Sequence, residues 1–441
     1  MSELTADARR GVIARVTRRL IPFTFICYVV AYVDRVNIGF AAAELQRDLG
    51  LNDATYGIGA GLFFLGYCLF EIPSNLILAR VGARLWISRI MIVWGLVSMA
   101  TLFAHDAWTF YVARVMLGVA ESGFFPGIVL YLTYWFPVSD RARTSALFMM
   151  GIPVSLMIGA PVSQAILALD GRMGLAGWQW LFLVEGAPAV VLGILALWVL
   201  TDQPGHATWL PADEREWLVQ TMDRERAAAS GEHRTSISSA LGSGRAWLLA
   251  IVYFLNQLVS YGIFLWLPKI LRDASQLDNA RLSALTMIPF AAALVAMVLI
   301  GRHSDSTGER KWHVAGCLLT AAAGLVLAAS SLENLPLLVL GFTLSQIGQR
   351  AVLPVFWAIP PIFLRGTAAA AGIGLISSVG SLGGAVGPTV VGWIKQTTGS
   401  YVGGLLVLTL ALAVEIALVI SLRLPKREVL PIHSTSVGAT T

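Results

Sequence analysis

Residues 20 to 43 read LIPFTFICYVVAYVDRVNIGFAAA. As a helix rising 1.5 Å per residue they extend about 36 Å, enough to cross a hydrocarbon layer of about 30 Å. The stretch therefore reads as a transmembrane helix. Past its middle stand Asp34 and Arg35, and a charge inside the membrane costs roughly 2.5–3.5 kcal/mol or more. Such groups need a reason to be there.

Eleven further apolar runs follow, at 56–79, 86–104, 109–134, 144–168, 179–200, 246–267, 283–301, 312–331, 336–360, 367–393 and 402–422. Each is too long and continuous for the alternating strands of about ten residues in a membrane β-barrel. The composition agrees: 56% of the 441 residues are hydrophobic and 13% charged, against about 25% charged in soluble domains. Mean hydropathy is +0.72. The chain is expected to be an all-α integral membrane protein. Forty-two glycines suit helices that must approach closely without a hydrophobic force between them. Cys27, Cys68 and Cys317 lie in apolar stretches with no CxxC or Cys/His grouping, which argues against disulfides and a metal centre.

Basic residues set the orientation. With the N-terminus placed in the cytoplasm, 22 of the 31 lysines and arginines fall on that side and 6 on the other. The positive-inside rule then puts both termini in the cytoplasm, as twelve spans require. No cleavable signal is expected before the first span. The expected organisation is a cytoplasmic N-terminus (1–19), a six-helix bundle (20–200), a cytoplasmic loop (201–245), a second six-helix bundle (246–424) and a disordered cytoplasmic tail (425–441). Within the loop, Leu210 to Arg226 reads as a surface helix, with Asp213, Glu214 and Glu216 early and Arg224 and Arg226 late. No basic stripe with interleaved aromatics suggests nucleic acid.

The two halves echo each other at a spacing of 222 residues. Trp135 and Arg143 match Trp357 and Arg365, and Arg80 matches Arg302. Repeats of this kind are expected of a transporter whose halves rock about a site near the midplane.

Three arginines, Arg35, Arg114 and Arg350, remain inside spans, together with five acids. On a helix Asp34 and Asn37 share a face, while Arg35 points about 100° away. Arg114 and Glu121 are seven apart, on one face and roughly 10 Å apart along the axis. Burial favours a neutral acid and a nearby guanidinium favours a carboxylate. An acid held between those influences can carry a proton, and an anion that takes the arginine releases the acid to do so. Asp34 and Glu121 are the candidate proton carriers. Glu71 and Glu185 read as ties between helices, and Glu415 stands alone in the last span. Arg350 is a candidate second cation for a dicarboxylate. Tyr67, Asn256, Gln257, Tyr261, Trp357, Ser377 and Ser378 supply hydroxyl, amide and indole groups that could orient a hydroxylated or aromatic acid.

The layout, the loop motif Arg80-Val81-Gly82-Ala83-Arg84 and its fuller repeat Gly301-Arg302-His303-Ser304-Asp305 resemble the major facilitator superfamily. Tyr32-x-Asp34-Arg35-x-Asn37, Glu71-Ile72-Pro73-Ser74-Asn75, Arg114-x-x-x-Gly118-x-x-Glu121 and Trp135-Phe136-Pro137 resemble its anion:cation symporter family, over residues 15 to 425. The resemblance implies proton-driven uptake of a small organic anion across a bacterial inner membrane by a monomer. The flavour is that of carriers for tartrate, phthalate and hydroxyphenylacetate. It implies Asp34 and Glu121 as protonation sites, Arg35 as coupling or carboxylate-binding arginine and Arg114 as the partner of Glu121. Tyr32, Tyr67, Gln257 and Trp357 would line the cavity. No cofactor or metal is implied beyond the proton as coupling ion. Two departures stand out: Ser377-Ser378-Val379-Gly380-Ser381 replaces an Asn-containing motif, and Asn256 stands where some dicarboxylate carriers hold arginine.

Two rivals are weaker. A drug exporter of the same fold would continue Gly159-Ala160-Pro161 with a Gly-Gly pair, but Val162-Ser163-Gln164 follows. A membrane-embedded enzyme would need a nucleophile or metal motif, and no HExxH, GxSxG or P-loop occurs.

Overall fold

The computed structural model describes residues 5–231, 242–275, 277, 279–360 and 366–422. The expected tail, part of the central loop and Arg365 lie outside them. The described residues form helices joined by short connections: α1 (Ala6–Asp48), α2 (Asp53–Val81), α3 (Ala83–Ala100), α4 (Ala107–Glu121), α5 (Phe124–Trp135), α6 (Val138–Met149), α7 (Gly151–Leu167), α8 (Gly177–Val199) and α9 (Ala212–Gly231). After the central loop come α10 (Gly244–Phe264), α11 (Leu267–Asp273), α12 (Asn279–Thr307), α13 (Lys311–Ala329), α14 (Leu335–Trp357), α15 (Gly366–Thr398) and α16 (Val402–Ser421).

Among the described residues, eleven helical stretches are long and apolar enough to cross a membrane. The 23-residue α14 is long enough too, but Ser345, Gln346, Gln349 and Arg350 interrupt its apolar face. All four are buried, so this helix hides its polar groups in protein. The expected surface helix in the loop is present as α9. Glu214 and Glu225 tie it to Arg15 and Arg141, each at 3.3 Å.

The fourth span is broken, which its apolar run did not announce. α4 ends at Glu121, and Gly123 takes a left-handed conformation with φ of 82° before α5 begins. The Ser122 carbonyl accepts from the Ser74 hydroxyl at 2.8 Å. A Cβ at Gly123 would collide with the same Ser74 side chain. The dipeptide Ser122-Gly123 was the available turn signal.

Packing pairs recur between the halves. In the first, α2 packs on α4, α3 on α8 and α1 on α7. In the second, α12 packs on α14, α13 on α16 and α10 on α15. The halves meet where α2 lies along α15 and α7 along α12. Close approach at that seam needs glycine: a Cβ at Gly61 would run into the Ala385 carbonyl.

Candidate functional site

Two residues of α1 point opposite ways. Asp34 turns into the first half, fully buried, where its carboxylate accepts from Trp94 Nε1 at 2.7 Å, Ser98 Oγ at 2.5 Å and Asn37 Nδ2 at 3.2 Å. Trp94 and Ser98 lie one turn apart on α3. The sequence reading missed both, although their i, i+4 spacing placed an indole donor and a hydroxyl on one face.

Arg35 turns towards the centre of the molecule. Its Nη2 and Nε, the latter at 3.1 Å, both bond Glu121 Oε1, and its guanidinium lies over the rings of Tyr67 (5.0 Å), Phe63 (5.4 Å) and Tyr32 (5.7 Å). The second carboxylate oxygen, Glu121 Oε2, is buried with no hydrogen-bond partner among the described residues. Glu121 was expected to pair with Arg114; it pairs with Arg35. Arg114 sits two turns earlier on α4, whereas Glu121 closes that helix and reaches across to α1.

Arg114 is 1% exposed. Its guanidinium lies 5.1 Å from the Phe63 ring centroid, and none of its three nitrogens has a hydrogen-bond partner among the described residues. Three buried donors without acceptors are costly. An anion would satisfy them.

Across the seam, the hydroxyls of Tyr32 and Tyr261 approach to 3.5 Å, and Phe64 packs on Tyr261 with centroids 4.2 Å apart. Tyr253, Gln257 and Tyr261 fall at i, i+4 and i+8 on one stripe of α10. Trp357 meets that stripe at Tyr253, with centroids 5.0 Å apart. Tyr32, Arg35, Tyr67, Glu121 and Tyr261 thus form one cluster, and Gln257 and Trp357 continue its stripe on the second half.

Four expected site residues face elsewhere. Ser377 and Ser378 donate to the two oxygens of Glu71, at 3.4 and 3.5 Å, because α2 and α15 are in contact there; Glu71 is a tie between the halves. Asn256 is buried and lies beside Glu415 of α16. Arg350 lies 5.9 Å from the ring of Phe264. Glu185 accepts from Ser163 at 2.9 Å, a tie as expected.

The end of the molecule bearing Asp53 is sealed by a network the sequence reading did not single out. Lys269 Nζ reaches Asp53 at 3.5 Å and Asp273 at 3.2 Å. The Tyr401 hydroxyl donates to Asp273 at 2.7 Å and accepts from Lys269 at 3.2 Å. Gln396 accepts the Asp53 backbone N–H at 3.2 Å, and Trp266 donates to the Pro388 carbonyl at 3.1 Å.

A sequence profile described as Major Facilitator Superfamily matches residues 24–388 and 249–438. A protein of Agrobacterium vitis named "Putative tartrate transporter" is 49% identical over 402 residues, covering 91% of this chain and 92% of that one. The "Quinolone resistance transporter" of Acinetobacter baumannii is 38% identical, covering 92% of this chain and 93% of its own. The "Inner membrane transport protein RhmT" of Escherichia coli K12 is also 38% identical, covering 92% and 94%. Among solved structures, the partially occluded inward open form of the E. coli xylose transporter XylE superposes with a TM-score of 0.75 over 94% of this chain and 99% of that one, at 11% identity. That likeness concerns the fold.

Proposed function

The chain belongs to the Major Facilitator Superfamily, and from that premise we propose that it takes up a small organic anion together with protons. As a member it is a multi-pass secondary transporter of a small metabolite, not an enzyme. The finer reading is twelve spans in two six-helix bundles, 20–200 and 246–424, with both termini in the cytoplasm of a bacterium. The lopsided distribution of basic residues and the recurrence of helix pairings in the two halves support it.

One observation carries the coupling: the buried ion pair of Arg35 with Glu121. Removing one partner from such a pair costs about 3–5 kcal/mol, because the other charge is left uncompensated. A carboxylate that draws Arg35 away therefore brings a proton onto Glu121, and a proton on Glu121 frees Arg35 for a carboxylate. Either event alone is unfavourable. Together they are not, which ties anion entry to proton entry. Glu121 Oε2 is the oxygen available to the proton. Arg114 adds a second cation close by, and Asp34 is the second candidate proton carrier. Tyr32, Tyr67, Tyr261, Gln257 and Trp357 orient the rest of the substrate.

Two arginines that both lie near the Phe63 ring suit a dicarboxylate, and the A. vitis relative's name points to tartrate. The test is uptake of labelled tartrate into proteoliposomes made acidic outside. Concentrative uptake that a protonophore abolishes is the expected result, and uptake indifferent to the protonophore removes the symport reading.

A second reading has one observation in its favour, the A. baumannii relative. An aromatic carboxylate could use the same arginines and leave the cell by antiport. Proton movement opposite to that of the substrate would select it.

A further inference from the structure

Two cavities of opposite character lie along the same helix pair. The first, about 650 Å³, is walled by Ile26 and Val30 of α1 and by Val184, Pro188 and Val191 of α8. It is apolar and open on the outer side of this helix pair. The second, about 360 Å³, lies where Arg19 of α1 meets the end of α8, among Arg19, Arg84, Trp198, Asp202, His206 and Trp209.

They are ends of one track. Arg19, Phe23, Ile26 and Val30 fall at i, i+4, i+7 and i+11 on one stripe of α1. Val184, Val191, Leu195 and Trp198 form the matching stripe of α8 and are 38%, 56%, 42% and 69% exposed. The polar pocket stands about 10–15 Å further along the helices than the groove. That separation, with the indole of Trp198 at the boundary, is the profile of a lipid leaflet.

The charge in the pocket is arranged for an anion. Gly82 offers α3 no side-chain cap, and Asp202 supplies one from the far end of α8, accepting the Arg84 backbone N–H at 2.8 Å. Its negative charge is thereby committed to a helix terminus. Arg19 lies over Trp209, 4.9 Å from the ring centroid. Two arginines and a histidine line this cavity beside a single acid, Asp202.

We propose that this track binds one anionic phospholipid, its phosphate on Arg19 and Arg84 and one acyl chain in the α1–α8 groove. Guanidinium groups match phosphate oxygens in geometry and charge. The groove would otherwise leave a strip of apolar side chains against mobile lipid. A lipid held there links α1, which carries Asp34 and Arg35, to the interhelical pocket beside α3.

The test is native mass spectrometry of the full chain after equilibration with equal palmitoyl-oleoyl phosphatidylglycerol and phosphatidylcholine. One retained phosphatidylglycerol is expected. Arg19→Ala and Arg84→Ala should each weaken its retention about fivefold, and Val191→Trp, which fills the groove, should release it with both arginines intact. Arg302→Ala, at an exposed helix end elsewhere, should leave retention unchanged. Equal retention by the Arg19/Arg84 double variant overturns the proposal. So does displacement by millimolar inorganic phosphate with no effect of Val191→Trp, which would make the pocket a site for free anions. Matching thermal unfolding midpoints exclude misfolding as the cause.

Discussion

Arg35 of α1 and Glu121 of α4 form an ion pair in which the arginine side chain is 11% exposed and the glutamate side chain 0%. The acid ends a helix that breaks at the next two residues, Ser122 and Gly123. Discontinuous helices that present their ends near the midplane are a recurring way for transporters to build substrate and ion sites.

Replacing the acid while keeping its shape should separate transport from energy coupling. Glu121→Gln leaves Arg35 free for the anion and removes the proton's site. Counterflow exchange of labelled substrate should persist within about threefold of wild type, while uptake driven by a pH gradient should lose its accumulation. Normal accumulation would place coupling elsewhere. Each tenfold of accumulation corresponds to about 1.4 kcal/mol drawn from the proton gradient.

Asp34 is held by three donors, of which Trp94 is the largest. Trp94→Phe removes the indole N–H and leaves the carboxylate one partner short. Hydrogen bonds to charged groups contribute about 1.5–3 kcal/mol, so the variant should unfold at a lower temperature in detergent. An unchanged midpoint would mean that Asp34 is not an ionised acceptor in the resting protein.

The seal around Lys269 joins the halves on one side, with Lys269 and Asp53 side chains 12% and 19% exposed. An ion pair at that level of exposure contributes about 0.2–1 kcal/mol. Asp53→Asn should therefore shift the population towards the form open on that side by up to about fivefold. Thiol labelling of Thr389→Cys, which lies beneath the seal, measures it. A labelling rate that Asp53→Asn leaves unchanged would show that the pair does not hold the halves together.

Two glycines separate folding from conformational change. Gly118 lets α4 approach the Phe63 carbonyl of α2 within one half, and Gly61 lets α2 approach Ala385 across the seam. Gly118→Ala overpacks a contact that both conformations keep and should lower stability by about 1–3 kcal/mol. Gly61→Ala should leave the unfolding midpoint nearer wild type and raise Thr389→Cys labelling. The same loss of stability from both would argue that the seam does not open.

Much of this molecule is legible in its residues. Every apolar run lies on helix, because a backbone in lipid must satisfy its own hydrogen bonds, but α1 begins 14 residues before its run and the fourth and fifth runs are each divided between two helices. Asp34, Arg35, Arg114 and Glu121 stand out because charge is costly there. Partnership was harder to read. The family resemblance implied Arg114 for Glu121, but Glu121 closes α4 and is answered from α1, a relation between helices that no single-helix periodicity encodes. Ser377 and Asn256 looked like ligand groups by chemistry; only packing sets them against Glu71 and Glu415. The seal of Lys269, Asp53, Asp273 and Tyr401 joins residues up to 348 positions apart, each ordinary in its own segment.

The most direct measurement is the internal pH of proteoliposomes, with no imposed gradient, as tartrate is added outside. Symport through the Arg35–Glu121 pair predicts that the interior acidifies as tartrate enters, and that Glu121→Gln abolishes the acidification while labelled tartrate still exchanges. Tartrate entry by the wild type with no change in internal pH, or with alkalinisation, would contradict the account.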